Sequence, residues 1–157
     1  MEQYIQPFID GCGEVFRDLC NTEVKAGRAF FVSKDEFESI WDISGIIGLS
    51  GDANGAVAIS LRENTAFKLT KLLTGDEHNS IDRFVTDAMG EIINIIAGNV
   101  KNIYEKKHRI KITMPSIIKG KAHSIVWPSE KARIICIPFT IFGDQEFCLS
   151  VAVEQAK

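Results

Sequence analysis

The chain lacks long apolar runs, blocks of like charge and low-complexity linkers. Its longest uncharged stretches, Ile43 to Gly51, Ile92 to Val100 and Ile134 to Gly143, fall well short of the roughly 20 residues that a membrane helix needs. No membrane insertion is therefore expected. No basic-then-apolar leader opens the sequence, so secretion is not expected either. Basic residues are not in excess: the net charge of -3 argues against a general nucleic-acid binder. Cysteine is scarce. Cys12, Cys20, Cys136 and Cys148 show no C-x-x-C pair and no histidine at ligand spacing, which reads as reduced, buried thiols of a cytoplasmic protein without a metal site. What remains is ordinary: 157 residues, 45% hydrophobic and 25% charged. A chain this long can remove roughly 68–70% of its unfolded surface from water, so a single domain over residues 1–157 is expected.

Apolar spacing from Glu2 to Asn21 fits a helix, with Pro7 tolerable in or near its first turn. A strand-like stretch follows at Arg28 to Ser33. The apolar runs Ile43 to Ser50 and Gly55 to Leu61, joined by Gly51-Asp52-Ala53-Asn54-Gly55, predict a β-hairpin. Glu63 to Leu73 predicts an amphipathic helix closed by Gly75. A long helix is predicted from near Ser80 to about Lys106. Extended segments then occupy Arg109 to Ile118, Ala132 to Phe142 and Glu146 to Val153, the last two joined by a hairpin turn at Gly143-Asp144-Gln145. The fold class is α+β: a mostly antiparallel sheet with the first and long helices packed on one side.

A faint repeat runs through this order. Asp10, Gly13, Glu14 and Arg17 of the first helix match Asp87, Gly90, Glu91 and Asn94 of the long one, and each helix leads into an extended stretch and a hairpin. Two diverged helix–strand–hairpin halves, with one helix inserted between them, account for the pattern.

At about 100° per residue, the long helix sorts into two faces. Met89, Ile92, Ile93, Ile96, Val100, Ile103 and Tyr104 form a broad apolar side. Asp87, Gly90, Glu91, Asn94, Gly98, Lys101, Asn102 and Glu105 gather opposite, with Asp87, Glu91, Asn94 and Gly98 in one line. Glycines inside a helix cost roughly 1 kcal/mol each relative to Ala, and these two strip bulk from either side of Glu91 and Asn94. Such a surface lets something large come close. A solvated face with incidental glycines, or glycines used in helix packing, is the plainer alternative. Asn94 has no useful proton affinity near pH 7, but its amide can orient a water by accepting and donating hydrogen bonds. Glu91 can hold a cation. The pair suits a reaction limited by positioning, as in-line phosphoryl hydrolysis is.

Asp87-x-x-x-Glu91-x-x-Asn94, continued by Ala97-Gly98-Asn99, resembles the signature helix of the CheC/CheX/FliY phosphatases of bacterial chemotaxis. The Gly-rich hairpin Ile43 to Gly51 with Gly55 resembles the one that precedes that helix in the family. With one such motif rather than two, the chain is most similar to the CheX branch, from the first helix to about Pro115. The resemblance implies a phosphatase acting on the aspartyl phosphate of a chemotaxis response-regulator receiver domain. It implies that Asn94 aligns the attacking water and that Glu91 pairs with the receiver's active-site lysine. Asp87, Gly90, Ile95, Gly98 and Lys101 would form the partner-binding surface. The Mg²⁺ would be supplied by the receiver, leaving this chain with no metal ligand or cofactor of its own, and the chain would be a homodimer. Two departures stand out. The family's proline lies farther downstream than Pro115, which follows Asn94 with 20 residues between. Arg17 stands where an Asn would be needed for a second catalytic centre, so the Asp10/Glu14 copy is read as structural or as a partner surface.

The basic residues Lys101, Lys106, Lys107, His108, Arg109 and Lys111 suit a helix C-terminus or steering toward an acidic partner. Gly45, Gly48 and Gly51 repeat at the third residue but sit in a strand pattern with no lysine or helix start after them, unlike a phosphate loop. His78 and His123 carry no assigned role. Two other functions remain open from the residues alone: a docking module that binds a receiver or flagellar switch component without catalysis, and a small-ligand or sensory domain with a pocket between Ile43 and Gly55.

Overall fold

A computed structural model describes residues 2–33, 40–106, 109–125, 127 and 133–155. In chain order the elements are α1 (Glu2–Cys20), β1 (Val24–Ala26), β2 (Phe30–Val32), β3 (Ile43–Gly51), β4 (Ala53–Leu61), α2 (Glu63–Thr74), α3 (Arg83–Tyr104), β5 (Ile110–Ile112), β6 (Ser116–Lys119), β7 (Ile134–Ile141) and β8 (Gln145–Gln155). The strands form one 8-stranded antiparallel sheet in the order β1-β7-β8-β4-β3-β5, with β2 also on β7 and β6 also on β3.

This order explains the sequence repeat. Each half contributes a helix, two short strands and a hairpin. The hairpins meet along β4 and β8 from Ala53↔Gln155 to Leu61↔Phe147, and each half's short strands pair with the other half's outer hairpin strand. Thus β1 and β2 lie on β7, while β5 and β6 lie on β3. Neither half closes its own sheet, so the two must fold together.

Side chains alternate across a strand, and here both faces are covered. Ile43, Ile47, Val57, Ile59, Leu61, Ile137, Phe139, Phe147 and Leu149 face α1, α2 and α3 in the main core. Phe139 and Phe147 stack across β7–β8 with centroids 4.9 Å apart, and Phe16 of α1 packs on Phe147 at 5.0 Å. All three helices therefore dock on one side. The opposite face carries small residues, Ala56, Ala58, Ala152, Cys136 and Cys148, beneath Ile125 and Trp127.

On that second face, Ser44 Oγ lies 2.7 Å from Ser60 Oγ and 2.6 Å from His123 Nε2, and His123 Nδ1 lies 2.8 Å from the Gly120 carbonyl oxygen. A carbonyl only accepts, so Nδ1 carries the hydrogen that it donates. Nε2 completes the hydrogen bond with Ser44 Oγ. This pair pins the segment after β6 onto the sheet, a role for His123 that the sequence did not expose.

The Gly-rich strand serves packing. A Cβ on Gly45 would stand 3.0 Å from Ile93 Cγ2, so its absence sets how closely α3 approaches β3. At Gly51, with φ +119°, a Cβ would fall 2.2 Å from the Arg109 carbonyl, a conformation and an approach that exclude side chains.

Several boundaries differ from the sequence reading. Within the stretch Arg28 to Ser33 only Phe30–Val32 (β2) is strand, and a second short strand, β1, precedes it, because the two pair with separate parts of β7, residues 134–136 and 139–141. β4 begins at Ala53 rather than Gly55, since β8 extends to pair with it. The stretch Arg109 to Ile118 is broken into β5 and β6 by a β-bulge. From Ile46 to Leu49 strand β3 advances three residues while its partner advances four, from Ile112 to Ser116. The Thr113 N–H donates to the Gly48 carbonyl (3.0 Å) and Thr113 Oγ1 accepts from the Gly48 N–H (2.9 Å), closing the bulge. Pro7 lies in the second turn of α1 rather than the first. Ala132, where the penultimate strand was expected to begin, lies outside the described residues.

Candidate active site on the long helix

Helix α3 starts at Arg83, not at Ser80. Asp82 is the N-cap: its Oδ1 accepts from the Val85 N–H (3.0 Å), and Oδ2 accepts from His78 Nδ1 (2.9 Å). The cap satisfies an otherwise orphaned donor. The His78 hydrogen bond, followed by that of the Val85 N–H, holds the Asp82 carboxyl below its ordinary range. From this fixed start, Val85, Met89, Ile92, Ile93, Ile96 and Val100 are buried against the sheet and α1. Ile103, assigned by periodicity to the apolar side, is 41% exposed because the helix end runs past the core. The Tyr104 side chain lies outside the described residues.

The burial of one side fixes the other outward. Glu91 and Asn94 are both exposed, and among the described residues no hydrogen bond or ion pair engages either side chain. They stand less than one turn apart, about 4.5 Å along the axis at 1.5 Å per residue. Toward one flank, the Glu91 charge together with burial raises the Cys20 thiol at the end of α1 to about 11, burial being the larger cause. Toward the other flank lies β6.

The glycines of this face are not required by the fold. A Cβ on Gly98 would meet nothing within 4 Å. One on Gly90 would reach Ile117 Cδ1 at 3.8 Å and Pro115 Cγ at 3.9 Å, ordinary contact distances. Neither has a positive φ. Intramolecular packing, one of the plainer alternatives, thus does not account for them. Both are half-buried, but Gly90 turns toward β6, whereas Gly98 opens the strip one turn beyond Asn94.

Of the remaining surface residues, Asp87 is exposed and loosely paired with Arg83 at 3.7 Å. Ile95 is half-buried and packs partly on the core. Lys101 Nζ lies 3.1 Å from Glu105 Oε1, a surface pair of small energetic weight. In the related face of α1, Glu14 is exposed, Asp10 accepts from Gln6 at 2.8 Å, and Arg17 pairs with Glu23 at 3.7 Å. Lys107 and His108 of the basic cluster lie outside the described residues. Lys106, Arg109 and Lys111 are exposed.

Among the described residues, no three His, Cys, Asp or Glu side chains gather as a metal site, and no helix is long and apolar enough to cross a membrane. The segment between Ile43 and Gly55 is flanked by paired strands on both sides. An open depression instead lies at β1 and β7, lined by Glu23, Val24, Lys25 and residues 140–143, away from the helix face.

The fold and the helix together define an α+β protein that presents a Glu–Asn pair outward from a glycine-bared helix. The family model described as chemotaxis phosphatase CheX matches residues 43–140. The chain belongs to that family. It is 28% identical over 153 residues to the CheY-P phosphatase CheX of Thermotoga maritima, covering 96% of this chain and 95% of that one. Among solved structures it is similar to the chemotaxis protein CheX of Vibrio vulnificus, with a TM-score of 0.86 and 25% identity over 97% of this chain and 99% of that one. It is also similar to CheX in the CheX–CheY–BeF3–Mg²⁺ complex of Borrelia burgdorferi, with a TM-score of 0.81 and 26% identity over 97% and 98% of the two chains.

Proposed function

We propose that this chain hydrolyses the aspartyl phosphate of a chemotaxis receiver domain, with Asn94 and Glu91 as the acting residues. The observation that carries this reading is the pairing of two exposed, unengaged polar side chains on one rigid helix face, beside a glycine that the fold itself does not need. The name of the Thermotoga maritima relative and the Borrelia burgdorferi complex with CheY and Mg²⁺ support the substrate class.

The chemistry follows from what each group can do. Phosphoryl hydrolysis passes through a loose transition state, and the enzyme contributes mainly alignment and charge placement. The Asn94 carboxamide oxygen accepts a hydrogen from water while its N–H₂ donates to another acceptor, which orients a lone pair toward phosphorus. The aspartyl carboxylate leaves, and the water's proton passes to the phosphate product. Glu91 pairs with the receiver's lysine and sets the docking register. The Mg²⁺ is the receiver's, so this chain brings no metal of its own. Asp87, Gly90, Ile95, Gly98 and Lys101 surround the pair as the partner-binding surface. In this reading residues 1–157 act as one domain, in the cytoplasm where receivers are found, and as a homodimer.

The test is phosphate release from a Mg²⁺-bound phosphorylated receiver, with and without this protein and its Glu91→Lys variant. Acceleration by the parent and loss of both binding and acceleration in the variant support the reading. Binding without acceleration by the parent replaces it with a docking module. Light scattering during gel filtration tests the dimer.

A further inference from the structure

The surface around the Glu–Asn pair carries two large apolar side chains that the fold leaves uncovered. Met114 is 86% exposed and Phe84 62%. Met114 sits in the β-bulge between β5 and β6, where the register slip displays it, and its neighbour Pro115 lies against Gly90 of α3. Phe84 lies on the line of Glu91, seven residues earlier, displaced by about 20° around the axis and about 10 Å along it. Its ring rests on His78, with centroids 5.7 Å apart, which fixes its outward direction. Two apolar projections therefore flank the approach to the pair, one at the start of the helix and one on the sheet edge beside Gly90. Among the described residues the other exposed large apolar side chains are Phe30 and Phe31 of β2, Ile40 before β3, Leu72 of α2, and Ile103, which lies at the far C-terminal end of α3 on its apolar side.

A Glu–Lys pair desolvated at an interface fixes register, its attraction largely offset by the cost of removing both charges from water, and a water-orienting amide contributes to rate rather than to binding. The affinity must come from apolar burial near the pair, and aromatic and methionine side chains are enriched in such interface cores. We propose that Phe84 and Met114 are the apolar anchors by which this chain grips the receiver domain beside Glu91 and Asn94. The inference rests on reading the outer face of α3 as the receiver-docking surface.

The experiment measures kcat and KM for phosphate release from a Mg²⁺-bound phosphorylated receiver, using Phe84→Ala, Met114→Ala, the double variant and Asn94→Ala. Each anchor variant is expected to raise KM roughly five- to thirtyfold while kcat holds, with near-multiplicative effects in the double variant. Asn94→Ala is expected to do the reverse. Because Phe84 touches His78, Phe84→Leu and a thermal unfolding curve separate lost contact from lost fold; Met114 is too exposed for that concern. An active parent with unchanged KM in both variants overturns the anchors alone. Unchanged KM combined with dissociation of a dimer assigns the surface to a second copy and also overturns them. An inactive, non-binding parent removes the docking surface and the anchors together.

Discussion

Replacing Gly98 by alanine separates what the fold wants from what a partner requires. Gly98 lies mid-helix without a positive φ, and an added Cβ meets nothing within 4 Å. Alanine there should stabilise the helix by about 0.8–1 kcal/mol, an increase of about 2–4 °C in Tm for a chain of this size. If the receiver seats its surface on this strip, the same methyl projects into the interface one turn beyond Asn94. Displacing the aligned water by about 1 Å is enough to lower the rate about 10²-fold. Gly98→Ala is therefore expected to be more stable and less active. Gly90→Ala is the comparison: its methyl fills the contact with Pro115 and Ile117 at 3.8–3.9 Å, so it should gain similar stability with a smaller loss of activity. Calorimetry and a phosphate-release assay read the two quantities. A Gly98→Ala protein that gains stability and keeps full kcat/KM refutes the argument that this glycine exists for the partner.

Two further outcomes follow from the surroundings of the site. The Asp82 carboxylate, held below its ordinary range chiefly by the His78 hydrogen bond, contributes stability above the ordinary carboxylate value, lost as pH falls through the lowered one. Urea unfolding between pH 7 and pH 2.5 should therefore show the parent's advantage over Asp82→Asn shrinking in acid, whereas a pH-independent gap contradicts the linkage. His123→Ala leaves buried Ser44 without its ring partner and should destabilise by about 1–2 kcal/mol with kcat unchanged, since the contact lies on the sheet face away from α3. Loss of catalysis at unaltered stability would contradict that placement.

The outward face of α3 was legible because a helix converts residue spacing directly into direction: burying Met89, Ile92, Ile93 and Ile96 forces Glu91 and Asn94 out. The antiparallel hairpins were legible for the same reason, from local turns and alternation. What was not legible depends on contacts distant in sequence. The break at Thr113 to Pro115 comes from the register that β3 imposes, and the Ser44–His123 bond joins residues 79 positions apart. The exchange of short strands between the halves is of the same kind. The repeat gave two similar units, but nothing local states that each completes the other's sheet. Ser80 and Asp82 are both good capping residues; the cap falls at Asp82, where Val85 and His78 both reach its carboxylate. The exposure of Phe84 and Met114 had no periodic signal at all, because a bulge residue and a first-turn residue follow their surroundings rather than a pattern.

The central claim is that Asn94 acts on water and not on binding. The decisive measurement is kcat and KM for Asn94→Ala acting on a Mg²⁺-bound phosphorylated receiver. A fall in kcat of roughly 10²-fold or more with KM little changed is expected. A raised KM with kcat intact would make Asn94 a binding residue and contradict the account.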